Sequence, residues 1–173
     1  MPLSFGIANS VKADSAKTLL TCGASFETKI FSHVIYFDDY QRFMDTKQLE
    51  QTYVIKAPLT KVWQALTDSK VAEQWSAGPA KVDAHEGGEF SYWDGDIHGV
   101  NTKVVPEKLL EQDWYGHDNP TWKYNVKFTF EEDNGTTTVH LLYSGNIVDE
   151  QRDINDWKDY YFDPIKKLLE QQA

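Results

Sequence analysis

The sequence predicts an α+β domain in which one curved antiparallel sheet grips a long C-terminal helix. Two patterns predict this fold. Between residues 122 and 130 bulky side chains alternate with polar ones, so one strand face carries Trp122, Tyr124, Val126, Phe128 and Phe130. From residue 154 apolar side chains recur every three or four positions, as in an amphipathic helix, at Ile154, Trp157, Tyr161, Ile165 and Leu168. Such an aromatic strand face needs a partner, and this helix supplies one.

The elements before the aromatic strand follow from alternation and from turn residues. A first strand is predicted over 49–56, where Pro58 stops it because proline cannot donate to a ladder. Thr60 is predicted to cap a short helix, and residues 67–69 to cap a second short helix that ends near Trp75. A strand over 80–84 comes next, and Gly87 and Gly88 allow positive φ in the turn after it.

Strands then follow in quick succession. Phe90 and Tyr92 share a face, and Asp94-Gly95 predicts a two-residue hairpin before a strand over 97–105. A strand over 108–115 puts Leu110, Gln112 and Trp114 on one side. After the aromatic strand, Asn134-Gly135 predicts a tight turn that leads into a last strand over 136–144. The inward residues of this strand are predicted to be Val139, Leu141 and Tyr143.

The final helix is predicted to begin between Asp149 and Asp153 and to contain a proline. Pro164 inside a helix removes a backbone hydrogen bond, at a cost of roughly 3 kcal/mol. Asp163 followed by proline is a typical N-cap and first helical position, so we expect a kink or a fresh turn there.

Residues 1–43 differ from the rest of the chain. Ser, Ala and Thr are scattered through 8–25, and the aromatic residues after them follow neither a strand nor a helix period. We predict a weakly ordered N-terminal extension, with an edge strand over 29–37 as the alternative. Residues 44–173 are predicted to form the folded domain.

Charge and composition exclude several classes of partner. The formal net charge is −10, and residues 49–173 carry 12 basic against 22 acidic side chains. Such a surface repels phosphate backbones, so neither nucleic acid nor an anionic membrane is an expected partner. The sequence contains no apolar run of the roughly 20 residues that span a bilayer, and its one cysteine, Cys22, forms no internal disulfide. We therefore expect a cytoplasmic protein.

Local motifs resemble the helix-grip, START-like (SRPBCC) superfamily. They occur in its order along 49–170, at Ala57-Pro58, 62–67, Trp75, Gly78-Pro79, 86–90, 104–109, Trp114, 128–130, Gly135-Thr136 and Trp157. Within that superfamily the pattern is similar to the domain shared with activators of the heat-shock protein 90 ATPase. The resemblance implies a cavity between helix and sheet for apolar or amphipathic molecules, whereas some relatives bind chaperones or catalyse a reaction on a bound ligand.

The candidate ligand-binding residues face that implied cavity. They are Phe90, Tyr92, His98, Trp114, Trp122, Tyr124, Trp157 and Tyr161. Their rings either line a cavity or fill it as a core. His98 shares strand parity with Val100 and Val104, so it either points inward to orient a ligand or forms a hydrogen bond at a strand end.

Motifs for catalysis or cofactor binding are missing from the sequence. There is no Gly-x-Ser-x-Gly elbow, no His-Glu-x-x-His and no Gly-rich phosphate loop. Asp94, Asp96 and His98 alternate as metal ligands can, but Asp94 belongs more simply to a turn. We therefore expect no catalytic residue, metal or cofactor. Three hypotheses remain: a binding protein for a small hydrophobic or aromatic molecule, a chaperone-associated accessory protein, and an enzyme that uses His98.

Overall fold

The computed structural model describes residues 47–76, 78–118 and 122–171. The predicted N-terminal extension over 1–43 lies outside the described residues. The strands are β1 Lys47–Ile55, β2 Lys81–Val82, β3 Glu89–Tyr92, β4 Ile97–Val105, β5 Leu109–Gly116, β6 Lys123–Asp133 and β7 Thr136–Gly145. They form one antiparallel sheet in the order β1-β7-β6-β5-β4-β3-β2. This arrangement and the helices described next confirm the predicted helix-grip fold.

Two short helices follow β1, as predicted: α1 Leu59–Thr67 and α2 Ser69–Ser76. The predicted N-cap at Thr60 is wrong, because α1 begins at Leu59, with Pro58 at the N-cap position and no side-chain cap of its own. The Glu132 carboxylate from β6 instead accepts a hydrogen bond from the Leu59 N–H at 3.1 Å. Asp68 caps α2 as predicted, since its Oδ1 accepts from Lys70 N–H at 2.8 Å and Val71 N–H at 3.2 Å.

One face of the sheet forms the core. The inward side chains of β5, β6 and β7 are buried as the alternation predicts: Leu110, Gln112, Trp114, Tyr124, Val126, Phe128, Phe130, Val139, Leu141 and Tyr143. The opposite face carries ion pairs between neighbouring strands, such as Lys127 Nζ with Glu111 Oε1 at 3.3 Å. The sheet therefore has one apolar, helix-facing side and one solvated side.

The loop between β3 and β4 is longer than the predicted two-residue hairpin. Tyr92 pairs with Ile97, which leaves four residues in the loop, and Trp93 and Asp94 have φ of 52° and 58°. The loop is tied to two neighbours, because Asp94 N–H donates to Pro79 O at 3.1 Å and Asp96 O accepts from the His117 N–H. A tryptophan with positive φ is strained, so these contacts and the packing of its ring hold it there.

The C-terminal helix is continuous and contains a wide turn. It consists of α3 Glu150–Asp156, a π turn Trp157–Phe162 and α4 Asp163–Glu170. Asp149 caps its start by accepting from the Arg152 N–H at 3.1 Å. The predicted N-cap at Asp163 is wrong, since that residue has helical φ and ψ of −63° and −41° and its N–H donates to Lys158 O. The π turn shifts the hydrogen bonds just before Pro164, so the proline lies in the first turn of α4, where no N–H is required.

The π turn also changes which side chains face the sheet. The consecutive residues Tyr161 and Phe162 are both buried, and the buried stripe continues through Ile165 to Leu169. Leu168, which the regular spacing predicts to be buried, is only partly buried. An extra residue in one turn rotates the rest of the helix, so the helical period predicted from the sequence is wrong in this last turn.

Candidate functional site

Most of the predicted binding residues meet between the helix and the sheet. From the sheet come Phe90, Tyr92, Trp114 and Tyr124, and from the π turn come Trp157 and Tyr161, all of them buried. Trp122 is partly buried, and its ring centroid lies 4.5 Å from that of Tyr124. We call the buried rings at this place the ring cluster: Trp75, Phe90, Tyr92, Trp114, Tyr124, Phe128, Tyr143, Trp157 and Tyr161.

The rings of this cluster contact one another. The Trp157 centroid lies 4.8 Å from Trp114 and 5.4 Å from Tyr143. The Tyr161 centroid lies 4.7 Å from Trp75, and 6.0 Å from Phe128 in a stacked arrangement. These are the separations of aromatic side chains in direct contact, so the cluster fills much of the space between helix and sheet.

Sequence reasoning missed Trp75 as a member of this site. It is the penultimate residue of α2, is 5% exposed, and donates from Nε1 to Ala65 O at 2.8 Å. Its place beside Tyr92 and Tyr161 depends on how α2 folds over the sheet. The available signals were its place among the motifs of the resemblance and its position near a helix end, and neither indicates which residues it contacts.

His98 lies on the other face of the sheet. Its side chain is exposed, and its ring lies 5.9 Å from Tyr115 on the solvated side. The inward orientation predicted from Val100 and Val104 is therefore wrong. The inward position is Gly99, which pairs with both Phe90 and Trp114, and a Cβ there would lie 2.6 Å from the Phe90 ring. The glycine makes room for two large rings. Because His98 faces solvent, the hypothesis of an enzyme that uses His98 on a ligand between helix and sheet is not supported.

A chain of buried polar groups orients one ring of the cluster. Trp114 Nε1 donates to Gln112 Oε1 at 2.9 Å, and Gln112 Nε2 donates to Asn101 Oδ1 at 2.7 Å. Asn101 Nδ2 in turn donates to Asp83 O at 2.7 Å. Asn101, Gln112 and Trp114 are 0%, 1% and 3% exposed. Since these groups bond to one another, the chain is explained by the packing of the domain and needs no ligand.

The tyrosine hydroxyls of the cluster differ in their partners. Tyr92 donates to Leu66 O at 3.2 Å, and Tyr124 donates to Asp153 Oδ2 at 2.7 Å. The Tyr161 hydroxyl is buried close to the Tyr92 hydroxyl, but it makes no hydrogen bond of normal geometry within the described residues. Burial raises the pKa of Tyr92, Tyr124 and Tyr161, and it raises that of Tyr143 to about 12. These phenols are therefore neutral near pH 7 and cannot serve there as bases.

Two surface cavities lined by described residues border the ring cluster, one at Trp75 and one at Tyr143. One is a groove of about 480 Å³ between α2 and the C-terminal helix, which we call the α2 groove. Its less exposed side is formed by Trp75, Pro164 and Leu168, and its exposed side by Asp159, Asp163 and Lys167. The other, about 180 Å³, lies on the solvated face of the sheet and is lined by polar residues such as Glu111, Asn125 and Lys127.

The part of the chain that the structure describes contains neither a cluster of metal ligands nor a helix that could span a membrane. No group of three or more His, Cys, Asp or Glu side chains there is arranged to hold a metal ion. None of the described helices is long and apolar enough to cross a membrane.

Comparison with protein families decides where the chain belongs. The family described as activator of Hsp90 ATPase homolog 1-like protein matches residues 56–170. The chain belongs to this family. Its relatives include an uncharacterized protein of Schizosaccharomyces pombe, 26% identical over 170 residues, which cover 96% of this chain and 48% of the relative.

A second relative is the human activator of 90 kDa heat shock protein ATPase homolog 1. It is 28% identical over 111 residues, which cover 63% of this chain and 33% of the human protein. The chain thus spans about half the length, or less, of these curated relatives.

Solved structures agree with the family assignment at the level of the fold. An HSP90 activator from Plasmodium falciparum has a TM-score of 0.63 at 24% identity, covering 70% of this chain and 95% of that one. The protein MLL2253 from Mesorhizobium loti has a TM-score of 0.61 at 24% identity, covering 73% and 99%. These likenesses show the helix-grip fold and carry no statement about a partner or a substrate.

Proposed function

We propose that this protein is a chaperone accessory that binds an HSP90-type chaperone through its outer surface. The observation that carries the proposal is the contact within the ring cluster: Trp157 and Tyr161 lie in ring contact with Trp114 and Phe128 of the sheet. Because the chain's own side chains occupy this place, we assign recognition to the exterior. Family membership supports the choice of partner, because a curated relative, 28% identical over 111 residues, is named as an activator of the HSP90 ATPase.

The charge of the exterior supports an electrostatically steered encounter. Residues 47–171 carry 13 Lys and Arg against 22 Asp and Glu, a formal net charge of −9. A surface of one sign raises the association rate with an oppositely charged patch, and salt screens the effect over roughly 10 Å at 0.1 M. The proposed complex is therefore expected to form faster and more tightly at low ionic strength.

Purified components test this function directly. Calorimetry of the full chain with the cognate HSP90 chaperone, at low and at physiological salt, is expected to show saturable binding that weakens with salt. The steady-state ATPase rate of the chaperone is expected to change in the same titration. An unrelated globular protein of similar size and net charge is the control for non-specific attraction. Absence of binding at low salt, where attraction is strongest, refutes the proposal.

A small hydrophobic or aromatic ligand is the second candidate, and one observation favours it. The buried Tyr161 hydroxyl makes no hydrogen bond of normal geometry with any described residue, and a ligand with a polar group beside Trp75 and Tyr92 would satisfy it if the rings moved apart. Native mass spectrometry of freshly purified protein tests this candidate. A mass excess that disappears on denaturation supports it, and the bare chain mass at every collision energy refutes it.

A further inference from the structure

The α2 groove combines an apolar side with two carboxylates. Trp75 is 5% exposed, and its ring is held by the hydrogen bond to Ala65 O and by edge contact with Tyr161. Leu168, partly buried, continues this surface along α4. The volume of about 480 Å³ exceeds what one small side chain fills and lies within the usual range of binding pockets.

The two carboxylates of the groove already hold a cation. Lys158 Nζ lies 3.0 Å from Asp159 Oδ1 and 2.6 Å from Asp163 Oδ2. These hydrogen bonds, the one to Asp163 first, raise the pKa of Lys158. The π turn makes the arrangement possible, because residues five apart lie on different sides of an α-helix and come together only in a wider turn. The pair of carboxylates is thus spaced to bind one ammonium or guanidinium group.

This internal cation is easily displaced. All three side chains are about half exposed, and ion pairs this open to solvent contribute little to stability because water and salt screen them. With Lys158 moved away, the groove carries Asp159 and Asp163 against Lys167 alone. The surrounding helix segment 149–163 is also acidic, with six acidic and two basic residues. Charge complementarity therefore favours a cationic side chain between the two carboxylates. The apolar side of the groove favours a bulky uncharged side chain next to that cation.

We infer that the α2 groove is the docking site for a segment of the partner that carries a Lys or Arg next to a large apolar side chain. The cation replaces Lys158 between Asp159 and Asp163, where an Arg would bind more specifically because its planar fork matches carboxylate oxygens. The apolar side chain lies on Trp75 and Leu168. This inference deepens the proposed function and rests on it, since the partner is the HSP90-type chaperone.

Three variants of the full chain test the site by calorimetry against the chaperone. Asp159→Asn combined with Asp163→Asn is expected to weaken binding at least threefold and to reduce its salt dependence. Gln74→Trp, a change at an exposed α2 residue that lines the groove, is expected to weaken binding about tenfold by filling it. Lys158→Met is expected to tighten binding about threefold, because it removes the competing cation.

Matched controls make the charge changes without touching the groove. Glu50→Gln combined with Glu131→Gln removes two exposed carboxylates elsewhere, and Lys61→Met removes one exposed lysine of α1. Both are expected to change the affinity less than twofold. Thermal melts confirm that every variant is folded before its affinity is compared.

The outcomes distinguish failure of the proposed chaperone binding from failure of the docking site alone. If the wild-type chain does not bind the chaperone, the proposed function fails and the docking site with it. If the wild type binds and the groove variants behave like their controls, only the docking site is refuted. If Lys158→Met weakens binding, Lys158 itself contacts an anion of the partner, which overturns the assignment of a cationic segment.

Discussion

Replacing Tyr161 by Phe removes a buried hydroxyl that the described structure leaves without a hydrogen bond. A buried polar group without a partner costs about 1–3 kcal/mol of desolvation, and the ring itself keeps its contacts in the variant. We therefore expect Tyr161→Phe to raise the free energy of unfolding by about 1 kcal/mol. For a chain of 173 residues this corresponds to a rise in Tm of about 2–4 °C.

Tyr92→Phe is the comparison variant, because it removes a hydroxyl that does form a hydrogen bond from a neighbouring ring that is also buried. The Tyr92 hydroxyl donates to Leu66 O at 3.2 Å, so its loss is expected to destabilise the protein by about 1 kcal/mol. Urea unfolding followed by near-ultraviolet circular dichroism measures both variants, with the slope of the transition showing whether the unfolded state has changed.

One result would refute this reasoning about the core. If Tyr161→Phe lowers the free energy of unfolding by more than about 0.5 kcal/mol, the hydroxyl is bonded in the protein as purified. Such a loss, together with a mass excess in native mass spectrometry that the variant lacks, would identify a bound ligand as the partner. It would move the second candidate function ahead of the first.

Three further predictions concern the same interior. Gln112→Leu removes both hydrogen bonds of Gln112, to Asn101 and to Trp114, from the buried chain. It is expected to lower the free energy of unfolding by about 2–4 kcal/mol, as measured by urea unfolding. Trp157→Ala is expected to cost about 3–5 kcal/mol in the same assay, whereas Tyr160→Ala, at a 47% exposed neighbour, should change stability by less than about 0.5 kcal/mol. Burial raises the pKa of Asp153 above 3.8, so ionisation is less favourable in the folded protein than in the unfolded chain. The wild type therefore loses stability as the pH rises from 3.8 through the raised pKa. Asp153→Asn, which does not titrate, should match the wild type below pH 3.8 and be the more stable of the two above the raised pKa, as pH-dependent thermal melts can measure.

The C-terminal helix illustrates where prediction from local pattern ends. Pro164 indicates an irregularity, and the structure has one, but it is a π turn before the proline and not a new N-cap at Asp163. The π turn brings Tyr161 and Phe162 together into the core. Burying two adjacent rings offsets the cost of the wider turn, and that gain depends on the sheet beneath, which a helical period cannot reveal.

The members of the candidate site that lie on strands were predictable from the same alternation that predicts the strand faces. Ring residues on β3, β5 and β6 were placed correctly because alternation is a local property of a half-buried strand. Trp75 was missed because its neighbours come from distant parts of the chain. His98 was placed on the wrong face because Gly99, which has no side chain to mark the inward side, lies under the Phe90 and Trp114 rings.

By itself the amino-acid sequence determined the order of the elements, the apolar face of most strands and the family, since these depend on short-range periodicity and on motifs in their order. Only the tertiary structure decided that the rings contact one another, that the helix widens at Trp157–Phe162, and that an exposed groove forms beside Trp75. The physical reason is that ring contact, helix register and grooves are set by the fit between surfaces far apart in the chain, and close packing allows few arrangements of them.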